Sequence, residues 1–449
     1  MLSRLIFEET IPLQQQALVT RNMSTTWAEL RQRASSIAEA YKALGRRRVG
    51  LSFPPSATSY AALAALSRLE CDVFLFDSRL HLAEILRCSR KLKLGALLAG
   101  ASQEETQEFE VHELPDEEAW SGTSSLTILT SGSTGEPKAA RHSWASISRP
   151  VRKGPEGLAP RWLLTYRPNL YAGLQVMLQC FADRGTLAIA DLEMDPQSTA
   201  KFMYDAGVQF VSATPSYWRR LLMFADGDLL KKIPLVQITL GGEVVDQPIL
   251  DNLRHHFPKS RLVHIYATTE LGRCFSVSDA LAGFPASHLN TVLPDGVELK
   301  VHDGELCVRS PNSMRMYDPL SSQQASLTDW FGTGDLVEVK DGRVLFVGRK
   351  TEMINVAGNK VYPVEVERII RVIRGVSDVR VFGKSSSIAG ELVACEIVPS
   401  ANENREALKE EIVRTCREKL PSHQQPRLIK FVDRIDLSAA GKTLRSRTS

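Results

Sequence analysis

The chain has 449 residues, 43% hydrophobic and 24% charged, with a formal net charge of +3 at pH 7. That length calls for two or three domains rather than one core, and so small a charge leaves no footprint for nucleic acid. The seven cysteines are scattered without a CxxC pair or metal-ligand spacing, which argues for a reducing compartment and against zinc or a disulfide framework. The opening residues, MLSRLIFEETIPLQQQ, hold no long apolar core, and no run is long enough to span a membrane, so a cytoplasmic protein is expected.

In chain order, TTWAELRQRASSIAEAYKALG (25–45) predicts a helix. Thr25 or Thr26 caps it, Glu29 lies three residues after Thr26, and Leu30, Ala34, Ile37, Ala38 and Tyr41 recur at helical spacing until Gly45 stops it. Residues 49–53 read as a strand, 59–68 as an alanine-rich helix, 71–76 as a strand, 81–89 as a helix and 92–98 as a strand. Strands separated by helices argue for α/β layering. The acidic stretch 104–118 and the hydroxyl-rich 121–125 read as a solvated connection.

The connection leads into LTILTSGSTGEPKAA (126–140), a short buried strand that breaks into Ser131, Gly132, Ser133, Thr134, Gly135, Glu136, Pro137 and Lys138. Glycines let the backbone approach a ligand closely. Successive N–H groups, several hydroxyls and one ammonium make a cradle for phosphate oxygens; the bland alternative is a Gly/Ser surface loop. The spacing is not that of the ordinary P-loop, because Lys138 follows a proline and no hydroxyl follows it.

Beyond the loop, Ser143 caps a helix to Ser148, 162–166 is a strand, and YAGLQVMLQC (171–180) is helical despite Gly173. Residues 186–190 and 208–212 read as strands, 199–204 and 216–225 as helices, and 236–240 as a buried strand running into Gly241-Gly242-Glu243. Residues 262–265 form another strand ending at Tyr266. Polar or glycine-rich residues thus gather at the carboxyl ends of strands, where open α/β sheets bind ligands. From Gly296 the pattern becomes a small antiparallel or mixed β region with Asp-Gly turns. VEVERIIRVI (364–373) then predicts a helix with Val366, Ile369, Ile370 and Ile373 inward, followed by strands at 379–382 and 392–397, a helix at 401–420 and a strand at 427–432. The last hundred residues read as a separate small α/β domain.

The loop at 130–138 is followed in order by Gly241-Gly242-Glu243, Tyr266-Ala267-Thr268-Thr269-Glu270, Thr333-Gly334-Asp335, Gly348-Arg349, a run from Gly358 to Pro363-x-Glu365-Val366-Glu367, and Gly441-Lys442. This series resembles the acyl-adenylate-forming superfamily of acyl-CoA ligases, peptide-synthetase adenylation domains and luciferases. Alanine at 267, where the family usually has glycine, is a mild departure. The short stretch before the phosphate loop is most similar to compact bacterial aryl- or succinylbenzoyl-CoA ligases.

The resemblance implies an α/β fold: a large multi-subdomain N-terminal adenylate-forming domain with mixed sheets (1–348), a hinge (349–351) and a small mobile α+β C-terminal domain (352–449). It implies that a carboxylate attacks the α-phosphate of ATP, giving an acyl-adenylate and pyrophosphate, and that a thiol then displaces AMP. Thr130, Ser131, Gly132, Ser133, Thr134, Gly135 and Lys138 would enclose the β,γ-phosphates. Thr269 would hold the α-phosphate, and Glu270 would ligate Mg2+, which prefers oxygen.

On the same resemblance, Gly241, Gly242 and Glu243 line the adenine pocket, Tyr266 lies on the ring face, Asp335 accepts the ribose hydroxyls and Arg349 approaches ribose and phosphate. Lys442, otherwise a solvated tail lysine, becomes the catalytic lysine that bridges carboxylate and α-phosphate. Gly358 lies where relatives form the thioester and leaves room for a pantetheine arm. Relatives often carry Asp or Lys at the position of the expected hinge residue Thr351.

The acid pocket would draw on Arg167, Tyr171, Thr214, Tyr217, Gly242 and Ala267. Tyr171, Tyr217 and Trp218 either line a flat aromatic slot or belong to the core, and Arg167 either meets a second polar group or lies on the surface. No Asp follows Ala213, where amino-acid-activating domains commonly have one, so an aromatic or medium-sized acid is expected. Coenzyme A is the expected acceptor, a separate carrier protein's phosphopantetheine the alternative, and an inactive nucleotide-binding or scaffolding protein the alternative of another class. A monomer or homodimer is expected.

Overall fold

The structure, a computed structural model, describes residues 2–8, 11–100, 109–115, 124–154, 159–191, 193–314, 316–317, 330–386, 390–400, 403–436 and 443, except for the loop 131–137. Among these residues two large sheets dominate. One runs in the order Met316–Tyr317, Lys138–Ser143, Ser125–Thr130, Asp72–Phe76, Arg48–Ser52, Ala96–Ala99, Glu110–Glu113. The other runs Gly272–Val277, Arg261–Thr268, Gln237–Gly241, Phe210–Ala213, Arg161–Leu164, Thr186–Ile189, Gln16–Val19, Ser24–Thr26. Both are parallel in the middle and antiparallel at the edges. Both faces of such strands must be covered by helices.

Alternation along the strands assigns the layers. Val49, Leu51, Val73 and Leu75 of the first sheet and Leu164, Leu187 and Ile189 of the second share one core with the helices Trp27–Ala40, Ala57–Arg68 and Tyr171–Ala182. Leu163, Ala188, Val211, Ile238 and Leu240 face the other way, toward the helices Pro196–Asp205, Pro215–Phe224 and Gln247–His256. Ala57–Arg68 lies in the middle of the first core, and its small side chains let it be buried nearly all round.

The predicted start of Trp27–Ala40 is borne out. Thr26 Oγ1 accepts the Glu29 amide at 3.2 Å, and Glu29 Oε2 accepts the Thr26 amide at 2.7 Å. The acidic connection needs a correction, since Glu110–Glu113 is an edge strand antiparallel to Ala96–Ala99. Edge strands tolerate charge on an exposed face, and that polarity disguised it. The chain's opening residues form a helix, Leu2–Phe7, that buries Leu2, Leu5 and Ile6. None of the helices is long and apolar enough to cross a membrane, among the described residues.

An antiparallel sheet follows, ordered Phe284–Pro285, Arg343–Arg349, Phe331–Lys340, Glu305–Arg309, Glu298–His302. After a short turn at Lys350–Glu352, the small domain pairs Gly390–Pro399 with Val376–Ser386, Ile354–Val356 and Leu428–Phe431. The helices Pro363–Arg371 and Arg405–Lys419 cover it, with Val366, Ile370, Leu408 and Ile412 inward. This is the small α+β domain that the resemblance implied.

At the amino end of Asp72–Phe76, the fully buried Asp72 is paired with Arg141 and lies 3.4 Å from Arg48 Nε. Ser125 donates to the same carboxylate, so three neighbouring strands converge on one anion. Removing one partner of a buried ion cluster leaves uncompensated charge. Asp72→Ala should therefore lose about 3–5 kcal/mol of unfolding free energy. Urea denaturation checks this, and an unchanged midpoint would contradict the account.

Candidate active site

The second sheet presents its polar residues at strand carboxyl ends. Thr214 ends Phe210–Ala213 and caps the helix Pro215–Phe224, its hydroxyl accepting the Tyr217 amide at 3.1 Å. Gln237–Gly241 ends at the glycine pair, and Gly242 has φ 84°, a left-handed conformation that glycine adopts without a Cβ clash. The turn brings Glu243 back to that helix, where Oε2 accepts the Ser216 amide at 2.9 Å.

The next strand, Arg261–Thr268, carries Tyr266. Its hydroxyl donates to Asp335 Oδ2 at 2.6 Å, and Arg349 Nε donates to Asp335 Oδ1 at 2.7 Å. Asp335 and Arg349 face each other on adjacent antiparallel strands. Burial and the Asp335 charge push the Tyr266 hydroxyl well above its ordinary pKa, so it remains a donor. The Tyr266 ring stacks on Phe275 and Phe346, with centroids 5.3 and 5.2 Å away.

At the other end of the site, Thr130 and Lys138 pair across a hairpin. Ser131, Gly132, Ser133, Thr134 and Gly135 lie outside the described residues. The outgoing strand Lys138–Ser143 bears His142, which sequence reasoning missed. His142 Nε2–H donates to the Thr269 carbonyl at 2.7 Å, a tautomer required because a carbonyl only accepts. Burial, only partly offset by that hydrogen bond, lowers its pKa to about 4. The turn carrying Thr269 and Glu270 is fixed further by the Met314 amide on the Glu270 carbonyl at 2.7 Å and the Ser310 hydroxyl on the Leu271 carbonyl at 2.9 Å.

The candidate acid-binding residues fall in several environments. Arg167 Nη1 pairs with Asp77 Oδ2 at 2.6 Å, so its charge meets a protein carboxylate. Tyr171 is buried in the first core, and its hydroxyl accepts the Arg273 amide at 3.1 Å. Trp218 is fully buried in the second core with Tyr217 edge-on against it. Ala267 sits at a register shift beside Tyr266. Gly358 forms the turn between Ile354–Val356 and Asn359–Val361 with φ 87°, and its amide donates to Asn355 Oδ1 at 2.9 Å.

Lys442 lies outside the described residues. Its neighbour Thr443 donates its amide to Glu243 Oε1 at 2.7 Å. Among the described residues no group of three or more His, Cys, Asp or Glu side chains could hold a metal, and the cysteines are unbridged.

Residues 9–318 match the family of AMP-binding enzymes, and residues 365–442 match the AMP-binding enzyme C-terminal domain. The chain is 27% identical to the putative acyl-CoA ligase YdaB of Bacillus subtilis, over 76% of this chain and 72% of that protein. It is 24% identical to a 2-succinylbenzoate–CoA ligase of Listeria innocua, over 96% and 95%. Among solved structures, the anthranilate CoA ligase AuaEII in complex with anthranoyl-AMP superposes with a TM-score of 0.79 at 17% identity, covering 98% of this chain and 95% of that one. The o-succinylbenzoate CoA synthetase of Bacillus subtilis superposes with a TM-score of 0.72 at 21% identity, covering 99% and 96%.

His142 has a testable signature. Its folded pKa is depressed below that of the unfolded chain, so between about pH 4 and 6.5 the unfolded state binds the extra proton. Its contribution is present above that window and is lost as pH falls through it. His142→Ala should lower the melting temperature at pH 7.5, since an orphaned carbonyl costs about 1–3 kcal/mol. The further drop between pH 7.5 and pH 5 should be smaller than in the unsubstituted protein. Parallel slopes in the two melting series would contradict a buried neutral imidazole.

Proposed function

Because the chain belongs to the AMP-binding enzyme family, we propose that it activates a carboxylic acid with ATP and transfers the acyl group to the thiol of coenzyme A. The observation that carries this reading is the strand Arg261–Thr268 with its following turn. Tyr266 contacts Asp335 and, three residues on, Thr269 contacts His142 beside the phosphate hairpin. One rigid segment therefore serves the ribose end and the phosphate end of a nucleotide.

In the first step the carboxylate oxygen, already ionised at neutral pH, bonds to the α-phosphorus as the bond to pyrophosphate breaks. No strong base is required. The chain must align two anions and neutralise their charge. Lys138 and the hydroxyls of 130–134 hold the β,γ-phosphates, Thr269 the α-phosphate, and Asp335 the ribose hydroxyls, with Arg349 beside them. Lys442 bridges carboxylate and phosphate as a compact point charge.

The single carboxylate of Glu270, on a turn whose backbone is fixed, suits Mg2+, which is bound through one or two carboxylates and substrate phosphates rather than an all-protein cage. Bound there, Mg2+ supplies charge neutralisation at the phosphates. In the second step the thiol sulfur attacks the acyl carbon and AMP departs, with the Gly358 turn facing the pantetheine arm.

Residues 1–348 then form the adenylating body and 352–449 the mobile domain, joined by a hinge at 349–351. The Arg349–Asp335 pair and the Lys350–Glu305 pair at 2.5 Å, which tie the start of the hinge to the body, support this division. An aromatic or medium-sized acid is the favoured substrate. The relatives named for 2-succinylbenzoate and anthranilate support that choice.

ATP–pyrophosphate exchange across aryl, medium-chain and amino acids, followed by addition of coenzyme A, tests the proposal. Exchange with one acid and a coenzyme A thioester supports it. Exchange without a thioester moves the acceptor to a carrier protein, and no exchange across the panel overturns the chemistry. Lys442→Ala should sharply lower adenylate formation while leaving use of a supplied acyl-adenylate largely intact; equal losses contradict its role. Asp335→Ala should weaken ATP binding with little effect on acid selectivity, read by titration calorimetry, and unchanged affinity would exclude it from the ribose site.

A further inference from the structure

Two carboxylates three residues apart each reach the small domain. Glu243 and Asp246 lie between Gln237–Gly241 and Gln247–His256, facing Ser216 and Arg219 of the helix Pro215–Phe224. The same three-residue offset puts Ser216 and Arg219 on one helix face. Glu243 divides its oxygens: Oε2 takes the Ser216 amide at 2.9 Å and Oε1 the Thr443 amide at 2.7 Å. The Ser216 and Thr443 hydroxyls are 3.2 Å apart. Asp246 Oδ1 caps Gln247–His256 through the Ile249 amide at 3.1 Å. Its Oδ2 takes Arg219 Nη2 at 2.8 Å and, from the small domain, Arg371 Nη1 at 3.1 Å.

We propose that Glu243 and Asp246 are the docking points that seat the small domain for adenylation, with Glu243 positioning the tail that carries Lys442. This rests on the reading of Lys442 given above. The covalent neighbour of Lys442 is held by a charge-assisted hydrogen bond, which is shorter and stronger than a neutral one. The glycine-rich motif that ends in Glu243 thereby gains a second task, at the domain boundary.

The contact is built to open. When it separates, Asp246 keeps Arg219 and its helix cap, and Glu243 keeps the Ser216 amide. Arg371 keeps Glu367 Oε2 at 3.6 Å and Asp378 Oδ1 at 3.9 Å within its own domain. Undocking therefore strands no charge, whereas an ion pair without such reserves would resist rotation.

The full-length chain tests this with two variants. Glu243→Gln removes the charge and leaves a single acceptor for the Ser216 and Thr443 N–H groups, so hydrogen exchange in the C-terminal peptide containing Thr443 should quicken on the order of tenfold. Arg371→Gln should lower ATP–pyrophosphate exchange on the order of tenfold, with thioester formation from supplied acyl-adenylate and the KM for ATP within about twofold. A melting curve verifies that each variant is folded. Unchanged Thr443 exchange in Glu243→Gln overturns the docking role, as does an equal loss of both half-reactions in folded Arg371→Gln. If Lys442→Ala leaves adenylation intact, the reading of Lys442 fails, while the Thr443 exchange measurement still decides the docking contact.

Discussion

A single carboxylate, Asp335, ties the large sheet, the antiparallel sheet and the exit to the small domain. It is 9% exposed, so its charge must be met by protein donors. Tyr266 meets it from the strand Arg261–Thr268, and Arg349 meets it from the strand that leads out of the body. A slip of one residue between Phe331–Lys340 and Arg343–Arg349 would turn Asp335 to the opposite face and leave both donors unpaired. Register, and with it the exit of the chain toward the small domain, is thus set by the group that the proposed chemistry assigns to the ribose.

His142 does for the end proposed to hold phosphate what Asp335 does for the end proposed to hold ribose, with the opposite electrostatics. It must remain neutral to be buried, and a neutral imidazole can hold the Thr269 carbonyl without adding charge beside the proposed phosphate site. The hairpin of Ser125–Thr130 and Lys138–Ser143 and the Thr269–Glu270 turn come from different sheets. A hydrogen bond between backbone and a rigid ring aligns them more closely than a long, flexible side chain could.

Much of the fold was legible because it is local. The capping box at Thr26 and Glu29, the inward stripe of Val366 and Ile370, and the glycine turn after Leu240 all express themselves within a few residues. Glu110–Glu113 was not legible, because an edge strand with polar residues on both faces has no apolar alternation to read. Motif positions could be placed at strand ends, but not their partners: Tyr266 and Asp335 are 69 residues apart, His142 and Thr269 127, and Glu243 and Thr443 200. Periodicity carries no information on such pairs. The acid pocket was not legible for a related reason, since a tyrosine on a helix reads the same whether it packs in a core, as Tyr171 does, or lines a slot.

The way the two domains meet follows from where each keeps its apolar residues. The core of the small domain is closed within itself, built from Ile354, Val366, Ile370, Val381, Ile397, Leu408 and Ile412 and their neighbours. Polar contacts through Arg371 and the Thr443 amide fasten it to the body. A hydrophobic interface would have to expose apolar area on every rotation, at a cost that rises with that area. A polar interface exchanges its hydrogen bonds for water and for the reserve partners each side retains. Buried ion pairs are weak evidence for stability, but they discriminate between orientations because misplacing one is costly. The proposed movement, in which the domain occupies one defined position and then leaves it, is best served by such contacts.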